Sequence, residues 1–367
     1  MKQFLHFFII LTLISNIACK KKEMIHYPAN SPLIQWYGRT IQDQTGHIQL
    51  ISSASYLKFR FVGDECRIWL KNIAPPGGYN YVSVVLDGVR QSRTPVKPDT
   101  FYPFLIKPSQ YASFHDVELY KETEAVCGLI VIERVDADDL KPLPIAEKKK
   151  IEFIGNSITV GMSADPSLVP CDSGMWFDQH DAYDAYGPRI ARMLNLDYFV
   201  NGVSGMGVYR NWNTETPTIG DVYEKSYLSV DPHDPLWDFS RFVPDIVSIN
   251  LGTNDLSPGD GIASRLPFDT LKFINTYVAF LKTIHDHYAE ARIILLNSPV
   301  IDKTNNDVLM NCLKAVKRKA ESSVSQLKPI SIFSFSIFQG AGCSGHPGVK
   351  DHERMANELA PMIKNML

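Results

Sequence analysis

The chain has 367 residues and a formal net charge of −3, with 21% charged residues. Its only basic clusters are short Lys runs, which excludes the electrostatic footprint of a nucleic-acid-binding protein. Hydrophobic residues make up 45%, enough for packed cores, and no Cys-x-x-Cys or His-rich spacing implies a metal or other cofactor.

The first element is Met1-Lys2-Gln3, an almost wholly apolar run from Phe4 to Ile17, then Ala18-Cys19. A positive start, a short hydrophobic region and a small residue before the cut make a secretory signal. The run is shorter than the roughly 20 residues needed to cross a bilayer, and no later stretch approaches that length. The Cys directly after it resembles a bacterial lipoprotein signal. That resemblance implies residues 1–19 as the signal segment, Cys19 as the lipidated N-terminus, Lys20-Lys21-Lys22 as the start of a tether, and anchoring to the bacterial outer membrane. Asn16 stands three before the Cys instead of the usual Leu, so an ordinary signal peptide cut nearby is the alternative.

From Tyr27 to about Val135 the pattern is all strand. Tyr56–Phe61, Cys66–Leu70, Tyr81–Leu86, His115–Tyr120 and Gly128–Ile132 alternate or run apolar, punctuated by turns such as Pro75-Pro76-Gly77-Gly78 and Asp87-Gly88. Asp-Gly between apolar runs signals a hairpin. Many short strands without a helical period predict an all-β sandwich over residues 27–140, of jelly-roll type. The five cysteines after Cys19 (Cys66, Cys127, Cys171, Cys312 and Cys343) leave at least one unpaired, and their spacing specifies no disulfide.

A linker, Asp136 to Pro144 and then Glu147 to Lys150, leads into a second unit over residues 148–367 where strands alternate with helices. Ile151-Glu152-Phe153-Ile154 is a buried strand that stops at Gly155-Asn156-Ser157. A Gly-rich turn, Asn201 to Gly207, follows the strand from Tyr198 to Val203. The strand Asp245–Leu251 ends in Gly252-Thr253-Asn254-Asp255. A helix is expected over Phe268–Tyr288 with Leu271, Ile274, Val278 and Leu281 on one face, then a strand at Ile293–Leu296. A basic helix around Lys314–Ser325, a strand Ile330–Phe335 and a helix Val349–Met366 complete the chain, with Gly345-His346-Pro347-Gly348 opening that last helix. Alternation of this kind gives a parallel three-layer α/β sheet. Open sheets of this type hold ligands at the carboxyl ends of their strands, where Ser157 stands.

Ser, Gly, Asn and His in this order, each at a strand end or before a helix, resemble the SGNH hydrolases, relatives of the GDSL esterases. The resemblance implies Ser157 as nucleophile and His346 as general base. It also implies an oxyanion hole from the amides of Ser157 and Gly205 and the Asn254 side chain, with Gly207 as a substitute for Gly205. A sandwich ahead of such a domain resembles carbohydrate esterase family 2, deacetylases of plant polysaccharides. Trp36-Tyr37-Gly38-Arg39, the segment His115–Glu124, and Ser204–Asn211 carry that closer resemblance. It implies acetate release from xylan, mannan or a similar acetylated polysaccharide, by a Ser-His mechanism without a metal.

One member of the pattern is missing. Enzymes of this type commonly place an Asp three residues before the His, and here that position is Cys343. Ser344 and Gly345 offer no carboxylate either. The consequence is a Ser-His dyad with a backbone carbonyl orienting the imidazole; Asp255 and Asp351 read better as structural caps, and the alternatives are that one of them serves as a distant acid or that the chain is an inactive relative. Cys343 itself is a conceivable nucleophile, although most buried cysteines are small apolar residues. Trp176, Tyr209, Trp212 and Trp237 fall in loops after strands and serve either as sugar-stacking faces or as packing. The competing functions are an SGNH lipase or thioesterase acting on other acyl esters, and a non-catalytic glycan-binding lipoprotein.

Overall fold

The computed structural model describes residues 23–144, 146–262 and 264–367; the signal segment and Cys19 lie outside them. None of the described helices is long and apolar enough to cross a membrane.

The N-terminal part is a sandwich of two antiparallel sheets. One runs Tyr102–Ile106, Cys66–Ile73, Leu129–Ala137, Ile48–Leu50, Thr40–Gln42, with Ile25–Pro28 also paired to Leu129–Ala137. The other runs Asp139–Lys141, Tyr56–Val62, His115–Lys121, Asn80–Leu86, Val89–Arg90, with Gln35–Tyr37 and Thr94–Val96 added alongside. Alternation places Leu57, Phe59 and Phe61 of one sheet against Ile68, Leu70, Ile130 and Ile132 of the other, all fully buried. At the expected Asp87-Gly88 hairpin both residues take positive φ, 53° and 82°, the pair of conformations that matches the twist of the flanking strands.

In the C-terminal unit we number the strands β1 (Lys150–Gly155), β2 (Asp197–Gly202), β3 (Ile246–Asn250), β4 (Arg292–Leu296) and β5 (Ser331–Phe333). They form one parallel sheet in the order β2-β1-β3-β4-β5. The helices are α1 (Ser157–Val160), α2 (Tyr186–Leu194), α3 (Ile219–Val222), α4 (Thr270–His287), α5 (Lys303–Ser323) and α6 (Val349–Met366). Successive residues of each strand enter opposite layers. Ile154, Phe199, Ile293 and Leu295 pack with α4 and α5, whereas Phe153, Val200, Ile294 and Leu296 pack with α2 and α6. These near-continuous apolar strands are what a sheet covered on both faces requires.

Three expected elements shift. On α4 the buried stripe is Phe273, Tyr277, Phe280, Leu281 and Ile284, and Leu271 is 66% exposed. The helix turns its aromatic residues to the sheet; of the expected face Leu281 is fully buried, Ile274 and Val278 pack at the edge of the core, and Leu271 alone is exposed. Helix α5 starts at Lys303 rather than near Lys314, because Asp302 caps it by accepting the Asn305 N–H at 3.0 Å. The last strand is shorter than expected, three residues from Ser331 to Phe333.

The two units are joined through buried charge. Arg39 of the sandwich is fully buried and donates to Asn201 Oδ1 (3.0 Å), the Tyr223 carbonyl (3.2 Å) and the Lys225 carbonyl. Arg90 binds Glu122, just after the strand His115–Lys121, together with Asp181 and Asp184 of the α/β unit. A buried guanidinium is stable only when several acceptors surround it, so these contacts fix the units against each other.

Candidate active site

Ser157 follows β1 at the first position of α1. Asn156 caps the helix, its side chain accepting from the Ile158 N–H at 3.3 Å. Gly155 is required here, since a Cβ would lie 2.0 Å from Thr159 Oγ1. The Ser157 hydroxyl lies 2.9 Å from His346 Nε2, and the other ring nitrogen, Nδ1, lies 3.3 Å from the Cys343 carbonyl. A carbonyl can only accept, so Nδ1 carries the proton and Nε2 is free to accept from Ser157. His346 precedes α6, in the turn just after Cys343–Gly345. Burial lowers its basicity below the usual histidine value, as does the neighbouring His180, while the Cys343 and Ser344 carbonyls and the Glu124 charge oppose that shift.

Gly205, from the loop after β2, and Asn254, from the loop after β3, line the same cavity of about 600 Å³ with Ser157 and His346. Gly205 has φ 80°, and a Cβ there would meet Trp212 Cδ1 at 2.7 Å, so only glycine lets the indole lie against this backbone. The Gly207 N–H is taken by Asn211 Oδ1 at 3.2 Å, which leaves Gly205 as the glycine of the pocket. The Asn254 amide donates one hydrogen to the Met206 carbonyl at 2.7 Å; its second hydrogen remains available.

Neither distant acid bonds to His346. Asp255 is fully buried and accepts the amides of Val208 (3.0 Å), Tyr209 (2.9 Å) and Arg210 (3.3 Å), shaping the Gly-rich loop. Burial still pushes its carboxyl up to about 6, against the pull of those amides. Asp351 accepts the Ala341 and Gly348 amides at 2.7 and 2.9 Å, capping α6. Cys343 is bridged to Cys171, so it is no free thiol, and Cys66, Cys127 and Cys312 are buried and unbridged. Of the four loop aromatics, Trp176 and Trp212 line the pocket. Tyr209 and Trp237 belong to the core.

Glu124, to which sequence reasoning gave no role, reaches the site from the sandwich. Fully buried, it accepts the Ser204 N–H at 2.7 Å, the Ser204 hydroxyl, and His180 Nε2 at 3.2 Å. It therefore sets the backbone immediately before Gly205. His180 in turn meets the ring of Trp176 edge-on, with centroids 5.1 Å apart. A Glu after a strand carries no local signal for a partner 80 residues away.

This arrangement can do acyl transfer: a hydroxyl paired with a neutral imidazole, facing donors on one side of an open cavity. Residues 153–326 match the GDSL-like lipase/acylhydrolase family, and residues 36–145 match the carbohydrate esterase 2 N-terminal family. An acetylxylan esterase / glucomannan deacetylase of Cellvibrio japonicus is 31% identical over 259 residues, 67% of this chain and 68% of that protein. A cellulase/esterase of Acetivibrio thermocellus is 29% identical over 329 residues, 86% of this chain and 37% of that longer protein. Among solved structures, a family two carbohydrate esterase from Clostridium thermocellum in complex with cellohexaose superposes with a TM-score of 0.80. It is 26% identical, over 90% of this chain and 98% of that one. A family two carbohydrate esterase from Cellvibrio japonicus gives 0.82 at 23% identity, covering 94% and 98%, a likeness of fold.

Proposed function

The chain belongs to carbohydrate esterase family 2 and is a carboxylic ester hydrolase; from that premise we propose that it removes acetyl groups from a plant-type polysaccharide such as xylan or mannan, using Ser157 and His346. Ser157 Oγ attacks the acetyl carbonyl while its proton passes to His346 Nε2. The oxyanion is met by the amides of Ser157 and Gly205 and by the free Asn254 N–H. Collapse expels the sugar oxygen, which takes the proton from His346 and leaves an acetyl-Ser157 ester. Water, deprotonated by the same imidazole, then releases acetate and restores the hydroxyl.

The observation that carries this reading is the 2.9 Å Ser157–His346 pair beside Gly205 and Asn254 in one pocket. The pocket's exposed indoles, Trp176 and Trp212, offer flat faces to a sugar ring. The test is acetate release from acetylated xylan, mannan and pectin, alongside p-nitrophenyl esters of increasing chain length. Preference for acetyl supports deacetylation, preference for long chains indicates a lipase or thioesterase, and glycan binding without turnover indicates a non-catalytic binder. The proposed division is a signal at residues 1–19, a sandwich at 27–140 and a hydrolase domain at 148–367. Cys19 would anchor the protein to the outer membrane, and loss of membrane fractionation in Cys19→Ala tests this.

A further inference from the structure

The His346 ring is backed by main-chain carbonyls and by no hydrogen-bonded carboxylate among the described residues. Among the described residues its Nδ1 bonds to a neutral carbonyl, that of Cys343, at 3.3 Å. A neutral acceptor at that distance orients an imidazole weakly compared with a carboxylate. The turn presenting the carbonyl is also unusual, because Ser344 and Gly345 both adopt positive φ, 53° and 73°. A non-glycine residue keeps that conformation only where its surroundings over-determine it.

Those surroundings are two-sided. On one side the Cys343 N–H donates to the Ser163 carbonyl at 2.9 Å and the Gly342 N–H to the His346 carbonyl at 2.8 Å. On the other, the Cys343 side chain is bridged to Cys171, 172 residues earlier in the chain. Cys171 lies in the segment between α1 and α2, the segment that also brings Trp176 into the pocket.

We propose that the Cys171–Cys343 disulfide is a positioning device for the general base. It fixes the Cys343 carbonyl against His346 Nδ1 and so supplies covalently the orientation that an acidic third residue supplies by charge. The same bridge sets the base loop relative to the wall carrying Trp176. The inference rests on the Ser157–His346 mechanism proposed above. Cys66, Cys127 and Cys312 are buried and unbridged.

The test compares two double variants, each checked by circular dichroism and thermal melting. Cys171→Ser/Cys343→Ser removes the bridge. Misplacing a catalytic group by about 1 Å costs on the order of 100-fold, so kcat should fall between about 10-fold and 100-fold with KM within about twofold. Cys171→Ser/Cys343→Asp also removes the bridge but offers a carboxylate to Nδ1. It should recover most of the lost kcat and move the acid limb of the kcat/KM profile to higher pH, because a carboxylate stabilises the imidazolium. Full kcat in the Ser/Ser variant would overturn the proposal. So would an Asp variant as slow as the Ser/Ser variant with an unmoved acid limb, since the lost rate would then not come from the orientation of the imidazole. If the Ser/Ser variant does not fold, the folded wild-type enzyme is reduced with dithiothreitol. The dithiol closes to its cyclic disulfide and two protein thiols appear. Reversible loss of kcat in step with those thiols supports the proposal, and unchanged kcat with both thiols titrated overturns it. A Ser157→Ala variant of the bridged enzyme, run beside these, separates the two readings: if it still turns over, the Ser157 mechanism itself has failed.

Discussion

On the proposed mechanism, Asn254→Ala removes one oxyanion donor and one brace to the Met206 carbonyl. In the resting enzyme one amide hydrogen of Asn254 holds the Met206 carbonyl at 2.7 Å, and in the proposed mechanism the other is given to the oxyanion as it forms. An interaction made in the transition state and absent in the ground state appears in kcat, with KM nearly unchanged. Losing one such donor costs about 2.7–4 kcal/mol, a fall of about 10²–10³ in kcat. The lost brace to Met206 adds a stability cost of about 1 kcal/mol, which a thermal melt separates from the kinetic effect. The assay is initial-rate acetate release from p-nitrophenyl acetate and from acetylated xylan. A kcat within threefold of wild type, or a loss wholly in KM, would refute the placement of Asn254 in the oxyanion hole.

Other expectations concern the groups around the pair. His346→Ala removes nearly all turnover, while folded Asp255→Asn and Asp351→Asn keep most of it, as kcat/KM on an acetyl ester will show; an equal loss in either would mean a triad. Glu124→Gln leaves at least one buried donor at Ser204 or His180 poorly paired, costing about 1–3 kcal/mol in a denaturant melt and lowering kcat through Gly205; wild-type stability and rate would remove Glu124 from the site. The base must be neutral to act, and His346 is held below the ordinary histidine value. The acid limb of kcat/KM should therefore fall below pH 6.5, and a midpoint above it would contradict the burial argument. His352 is buried, accepts the Tyr186 N–H at 3.2 Å and is pushed down to about 3 by burial, Arg189 and His346. The unfolded chain takes up this proton near 6.5 and the native state does not, so stability present above that pH is lost as pH falls. The loss from this group is about 2 kcal/mol between pH 6.5 and 5, and a His352→Gln variant should lose correspondingly less on acidification.

What the sequence disclosed follows from how local each signal is. Asp87-Gly88 and the alternation in Cys66–Ile73 announce a sandwich, and the apolar run ending at Gly155 announces a buried parallel strand, because turns and pleats are encoded within a few residues. Ser157, Gly205, Asn254 and His346 each stand at such a boundary; the fold gathers the first three because β1, β2 and β3 are adjacent and parallel, and the connection from β5 to α6 brings in His346. Features that depend on distant partners were hidden. Glu124 acts across 80 residues on Ser204, and Arg39 across 162 on Asn201. The pairing of Cys171 with Cys343 was one possibility among several. Gly205 lines the pocket whereas the Gly207 N–H is held by Asn211, a difference no spacing reveals. The aromatics Phe273, Tyr277 and Phe280 centre the buried stripe of α4 beside Leu281 and Ile284, whereas a face read from the aliphatic residues alone is off by part of a turn.

The most direct test of the Ser157–His346 mechanism is covalent labelling with a fluorophosphonate, read by peptide mapping. A hydroxyl activated by an imidazole 2.9 Å away should form the adduct at Ser157, with labelling abolished in Ser157→Ala and strongly slowed in His346→Ala. An adduct on another residue, or labelling that persists in Ser157→Ala, would contradict it.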